Sequence, residues 1–271
     1  MRKKILCFSL VFAFIFGILP VYAVAADSVS NDKAAIKTDH IKDGYIQAAY
    51  LGKEEKKIKL TIEKGQSKYT YDLNNKGDYE TFTLQMGNGD YKVKVLQNIS
   101  GTKYAVIWTA DIKAEGITEF APFLVSNQFV HYSSDNEVIK KATTLSKDAK
   151  DDLTKVSNIY NFVVDAMDYD SNKAKTVQSG YLPNIDAVVK AKKGICFDYA
   201  AVLAAMLRSQ EIPTKLITGY VAPNNVYHAW NEVYITDVGW VKLGDFYFDG
   251  KSWERMEPTF TSSGNKSDEI A

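Results

Sequence analysis

The sequence predicts an α+β protein in which a small antiparallel β-sandwich precedes a domain of mixed helices and strands. Two changes of rhythm carry this reading. From about Lys42 to Lys113 apolar and aromatic residues alternate with polar ones, whereas beyond Asn136 apolar residues recur at steps of three and four. Composition agrees: 17 tyrosines against 6 prolines suit a folded, strand-containing chain better than a disordered one. Acidic and basic residues balance to a formal charge of zero, so no electrostatic footprint for a nucleic-acid partner exists.

The chain opens with Arg2, Lys3 and Lys4 and then runs almost wholly apolar to Ala26, with small residues at Ala23-Val24-Ala25. That order reads as a secretory signal peptide cut after Ala25. Gly17 and Pro20 break the apolar run, which favours cleavage over a retained membrane anchor. Cys7 lies near the start of the run, the wrong end for a lipid-carrying cysteine. No later stretch is apolar and long enough to span a bilayer, so no stable span is expected after cleavage. The expected segments are residues 1–25 as signal peptide, 26–120 as β-sandwich domain, 121–135 as connector and 136–271 as the second domain. A secreted or cell-surface-associated protein follows.

Strands are expected at Tyr45–Tyr50, Ile58–Ile62, Tyr69–Tyr71, Tyr91–Val95 and Tyr104–Trp108, each with one face apolar and one polar. Turn chemistry separates them at Gly65-Gln66, Asn74-Asn75-Lys76-Gly77, Gly87-Asn88-Gly89-Asp90 and Ser100-Gly101. Six or so such strands make a small sandwich. It carries no catalytic constellation, and His40 at its entrance reads as a surface histidine.

Ser134 or Asp135 is expected to cap a helix starting near Asn136. A second helix follows, with Leu153, Val156, Ile159, Tyr160, Val163, Val164 and Met167 on one stripe. A loop from Asp170 to Pro183 leads to the run KGICFDYAAVLAAMLR, residues 193–208. Its apolar residues go nearly all round, the mark of a buried central helix, and Cys196 falls in the first turn. Unpaired backbone N–H groups and the helix dipole favour an anion there, hence a thiolate. After signal cleavage Cys196 is the lone cysteine, either a buried inert thiol or a reactive one.

Ile212-Pro213 end the helix, Thr214–Val221 form a strand, and a turn at Pro223-Asn224-Asn225 returns the chain into HAWNEVYI, residues 228–235. Ala229, Asn231 and Val233 are expected on one face, and Trp230, Glu232 and Tyr234 on the other. His228 opens that strand and can move a proton near neutral pH. Without more, a histidine so placed is more often structural than catalytic. After the expected cleavage, one cysteine and three scattered histidines offer no metal-ligand spacing, and no cofactor is expected.

Taken together, GICFDYAAVLAAMLR, IPTKLITGY, HAWNEVYI and Trp253 with Glu257-Pro258-Thr259-Phe260 resemble the transglutaminase-like superfamily. The helix containing Ile159-Tyr160-Asn161-Phe162-Val163 extends the resemblance upstream, so that it covers roughly residues 130–262. It implies a papain-like core, with Cys196 as nucleophile and His228 as general base. Its third member is an aspartate before Pro-Thr; here Glu257 stands in that place, and Asp245 after Trp240 is the competing candidate. Either would hold the imidazole's far N–H and fix its tautomer.

The implied activity is acyl transfer on peptide or glutamine amides, as a peptidase, an amidase or a cross-linking enzyme. The implied partner is a protein or peptide substrate at the cell wall or cell surface. The Glu257 departure leaves open a second class, a cell-surface binding protein that keeps the fold without full activity.

Overall fold

The computed structural model describes residues 28–221, 226–243, 247–248 and 253–254. The expected signal peptide, the turn at residues 223–225, Asp245 and Glu257 lie outside the described residues.

Eight strands come first: β1 (Ser28–Ser30), β2 (Ala34–Lys37), β3 (Tyr45–Tyr50), β4 (Ile58–Lys64), β5 (Ser67–Leu73), β6 (Glu80–Thr83), β7 (Gly89–Ser100) and β8 (Lys103–Ala114). They form two four-stranded antiparallel sheets, ordered β1-β2-β3-β6 and β5-β4-β7-β8. Period-two burial is visible in β7, where Tyr91, Val93 and Val95 are buried and Asp90 and Lys92 exposed. Both sheets send their buried residues into one apolar cluster that includes Ile46, Tyr50, Leu60, Tyr71, Phe82 and Tyr91. All five expected strands are present. Three others, β1, β2 and β6, were not anticipated.

The connecting segment folds back on this unit through a 3-10 turn at Ala121–Phe123. Gly44, just before β3, has φ +83°, and a Cβ there would stand 2.5 Å from the Pro122 nitrogen. A side chain at position 44 would force the connector off the sheet.

Beyond the connector come α1 (Glu137–Ser146), α2 (Asp152–Ala166), β9 (Asp168–Tyr169), α3 (Ser171–Thr176), α4 (Ile185–Ala191), β10 (Lys193–Gly194) and α5 (Cys196–Arg208). Next follow β11 (Thr214–Val221), β12 (Val226–Ile235), β13 (Gly239–Leu243), β14 (Tyr247–Phe248) and β15 (Trp253–Glu254). Strands β11, β12 and β13 make a three-stranded antiparallel sheet against which α5 packs, with α1, α2 and α4 around the helix. From Asp198 to Arg208 every residue of α5 is buried. Burying Val202, Leu203, Met206 and Leu207 contributes roughly 1.5–3 kcal/mol each.

Three local expectations need correction. Asn136, not Ser134 or Asp135, is the N-cap of α1, and its own side chain makes no capping bond. The Asp186 carboxylate of α4 does, accepting from the backbone N–H groups of Glu137 and Val138 and from the Asn136 amide. Hydrogen bonds to those donors hold Asp186 below the usual carboxylate range against the opposing effect of burial. The expected loop from Asp170 to Pro183 contains α3, capped by Asp170 accepting from the Lys173 N–H at 2.9 Å. Finally, β12 starts at Val226, two residues before His228.

Arg208 at the end of α5 is buried, and Nε and a terminal nitrogen donate to the carbonyls of Thr214 (2.9 Å) and Val125 (2.7 Å). Burial pushes its pKa down to about 10. One side chain thereby ties the helix end to β11 and to the connector.

Candidate active site

Cys196 is the first residue of α5 and is half-buried. The local sequence explains why the helix starts there. Ile195 is extended at φ −97°, ψ 173°, and its backbone N–H is taken by the Asp198 carboxylate at 2.8 Å, so the chain turns into the helix one residue later. Gly194 precedes it. A Cβ on Gly194 would stand 2.9 Å from the Asp198 Cβ and 3.2 Å from Val188, so only glycine allows β10 to run this close to the helix.

His228 is buried, 6 % exposed, and sits in β12 opposite Gly219 of β11. Its ring lies near-parallel to Trp230, with centroids 6.5 Å apart, so the two share one face of the strand. The bare Gly219 allows that indole to lie flat, since a Cβ there would come 3.2 Å from the Trp230 ring. Ala229, Asn231 and Val233 are buried on the other face, as the alternation predicts.

Cys196 and His228 line the same cavity, of about 1060 Å³. The lining mixes two parts of the chain. Tyr69, Thr70, Thr81 and Gln85 come from the β5–β6 region, while Tyr181, Phe197 and residues 215–218 come from the helical part. A chain of aromatic contacts bridges the seam: Phe82 to Tyr71 (5.2 Å between centroids), Tyr71 to Phe129 (5.7 Å), Phe129 to Phe197 (6.2 Å) and Phe197 to Tyr181 (6.3 Å). Phe129 packs against both hydrophobic clusters.

Two polar residues of the site have roles that the sequence reading did not assign. Asn231 is buried, and its amide donates to the carbonyls of Ala200 in α5 and Lys215 in β11, each at 3.1 Å. It fixes the His228 strand against the Cys196 helix. Asn231→Leu should lose about 2 kcal/mol of stability, since both bonds go and polar groups remain buried. Urea unfolding checks this, and a change below about 0.5 kcal/mol would show the amide to be incidental. The second is Asp198, fully buried, which also meets the ammonium of Lys173 at 2.6 Å and the hydroxyl of Tyr181 at 2.5 Å. An acid inside a run that is otherwise apolar all round was the available signal, because a buried carboxylate must find donors.

Among the described residues no group of three or more His, Cys, Asp or Glu could hold a metal ion, and no helix is long and apolar enough to cross a membrane.

A half-buried thiol at the start of a buried helix, sharing a cavity with a buried histidine on the adjoining sheet, defines a cysteine–histidine site on an α+β core. Residues 139–258 match the profile of the transglutaminase-like superfamily. The match takes in Cys196, His228, Asp245 and Glu257 alike. No curated protein matches the chain. Among solved structures it is similar to a candidate cysteine protease from Cytophaga hutchinsonii, at 18 % identity and a TM-score of 0.40 over 82 % of this chain and 86 % of that one. It is also similar to a TGase, at 19 % identity and a TM-score of 0.33 over 50 % of this chain and 34 % of that one. A third is the periplasmic domain of TgpA from Pseudomonas aeruginosa bound to ethylmercury, at 12 % identity and a TM-score of 0.38, covering 89 % and 98 % respectively.

Proposed function

We propose that this chain is a secreted, cysteine-dependent acyl-transfer enzyme acting on peptide or glutamine amides. The observation that carries the reading is the shared cavity of Cys196 and His228. In the reaction His228 takes the thiol proton and the Cys196 thiolate adds to the amide carbonyl. The Cys196 backbone N–H is one donor to the resulting oxyanion. Collapse forms a thioester, while His228 returns its proton to the departing amine or ammonia. Water then releases an acid, or a second amine forms a cross-link. The acid partner of His228 is Glu257 in this reading, completing a papain-like triad.

The paired sheets before residue 120 act as a sandwich whose β5–β6 side walls the substrate cleft. The contribution of Tyr69, Thr70, Thr81 and Gln85 to the cavity supports this, and a lining rich in aromatic residues suits a protein or peptide substrate. Export rests on the N-terminal pattern of Arg2 to Ala25.

Incubation of the secreted protein with glutamine-containing peptides and amine donors tests the activity. Mass spectrometry should show ammonia release, cross-links or cleavage; the absence of all three would overturn the reading. The acid is tested separately. Glu257→Gln presents an amide where an acceptor is needed, and should lower turnover roughly ten- to a thousand-fold, about 1.4–4 kcal/mol of barrier. Glu257→Asp should be tolerated and Asp245→Asn should matter little. The reverse ranking would move the acid to Asp245.

A further inference from the structure

Asp198, two residues past the proposed nucleophile, has no part in the chemistry above, yet it is the best-anchored acid near the site. It is fully buried and accepts from three donors: the Ile195 backbone N–H, the Lys173 ammonium and the Tyr181 hydroxyl. The ammonium also lies 4.2 Å above the Tyr181 ring centroid. An anion in the first turn agrees with the helix dipole, but it is also a negative charge within one turn of the thiol and works against a thiolate there. Lys173 supplies the compensating charge. Its bonds to Asp198 and Tyr181 outweigh the cost of burial and raise its pKa, so it stays protonated through the neutral range.

The partners converge from separate elements. Lys173 belongs to α3, which buries none of its residues, so the packing that normally fixes a helix is missing there. Tyr181 lies in the following loop and lines the cavity beside Cys196. The charged and titratable groups around this end of α5 include Asp198 itself, Lys173, Tyr181 and His228, together with Tyr169, Asp170 and Lys193 on or next to the strand pair that leads into the helix. Glu232 also reaches the cavity but is paired with Lys215 at 3.1 Å.

We propose that Lys173 and Asp198 are positioning residues for Cys196: Asp198 fixes the start of α5 and the loop bearing Tyr181, and Lys173 cancels its charge at the thiol. The proposal rests on the reading of Cys196 as nucleophile. It predicts opposite electrostatic effects from removing either partner, whereas a purely structural pair would move both variants the same way.

The test is the pH profile of Cys196 alkylation by iodoacetamide in the full chain, which reads the thiol independently of any substrate. Lys173→Met leaves an unbalanced anion and should raise the profile's midpoint by about one pH unit; Asp198→Asn leaves an unbalanced cation and should lower it by about as much. The double variant should return close to wild type, and Lys173→Arg should hardly move. If Asp198→Asn does not fold, the raised midpoint of Lys173→Met and its rescue by Lys173→Arg decide alone. Unmoved midpoints, or shifts of the same sign, overturn the proposal while leaving the acyl-transfer reading standing. A wild-type thiol that fails to react in the folded protein overturns both.

Discussion

Cys196→Ala should abolish turnover while leaving the fold in place. In the proposed mechanism the Cys196 sulfur is the atom that bonds to the substrate, and among the described residues Cys196 is the free cysteine, so none of the others can replace it. Losing a nucleophile that works in concert with a base costs on the order of ten thousand-fold or more. The structural cost is small, because the side chain is half-buried and only one sulfur atom is removed. About 1 kcal/mol or less is expected, by comparison with other single-group deletions. Peptide turnover and a thermal melt, measured on the same sample, check both halves. A variant that keeps more than a tenth of the wild-type rate would remove Cys196 from the mechanism.

His228→Ala should be the next most damaging change, with kcat/KM falling about a thousand-fold at pH 7. In the proposed mechanism the imidazole accepts the thiol proton and returns it to the leaving amine. Without it the residual rate should climb with pH, as hydroxide takes over the first of those tasks. His228→Gln separates chemistry from packing, since it fills more of the space beside Trp230 but cannot shuttle a proton. Both variants should therefore be equally slow, whatever their stabilities. A loss below tenfold, or a pH profile unchanged in shape, would assign His228 a packing role.

What could be read from the sequence was what obeys a local period. Strand β7 alternates and α5 is apolar on all sides, so both declare themselves. The unanticipated pieces lack such a signal. In β2 Ala34, Ala35 and Ile36 are all buried, and in β6 the buried residues Phe82 and Thr83 are adjacent, so neither shows alternation. Helix α3 buries nothing and so has no apolar stripe. The capping of α1 by Asp186 joins residues about fifty positions apart, beyond any local rule. At the site, Cys196 and His228 stood out through residue type and family resemblance. Asn231 and Asp198 did not, because their partners are set by tertiary packing: carbonyls on two other elements for one, and a lysine on α3 and a tyrosine in the loop after it for the other.

The row of rings from Phe82 through Tyr71, Phe129 and Phe197 to Tyr181 has a mechanical consequence. Swinging the sheets away from α5 like a jaw would pull Phe129 from Tyr71 or from Phe197, and would unseat it from one of the two interiors it packs against. Each separated pair forfeits about 0.5–1.5 kcal/mol, besides the apolar area wetted. The ring contacts therefore oppose a widening of the cleft. In the proposed function, selection among peptides then falls to what fits between the tyrosines and threonines of β5–β6 and the start of α5.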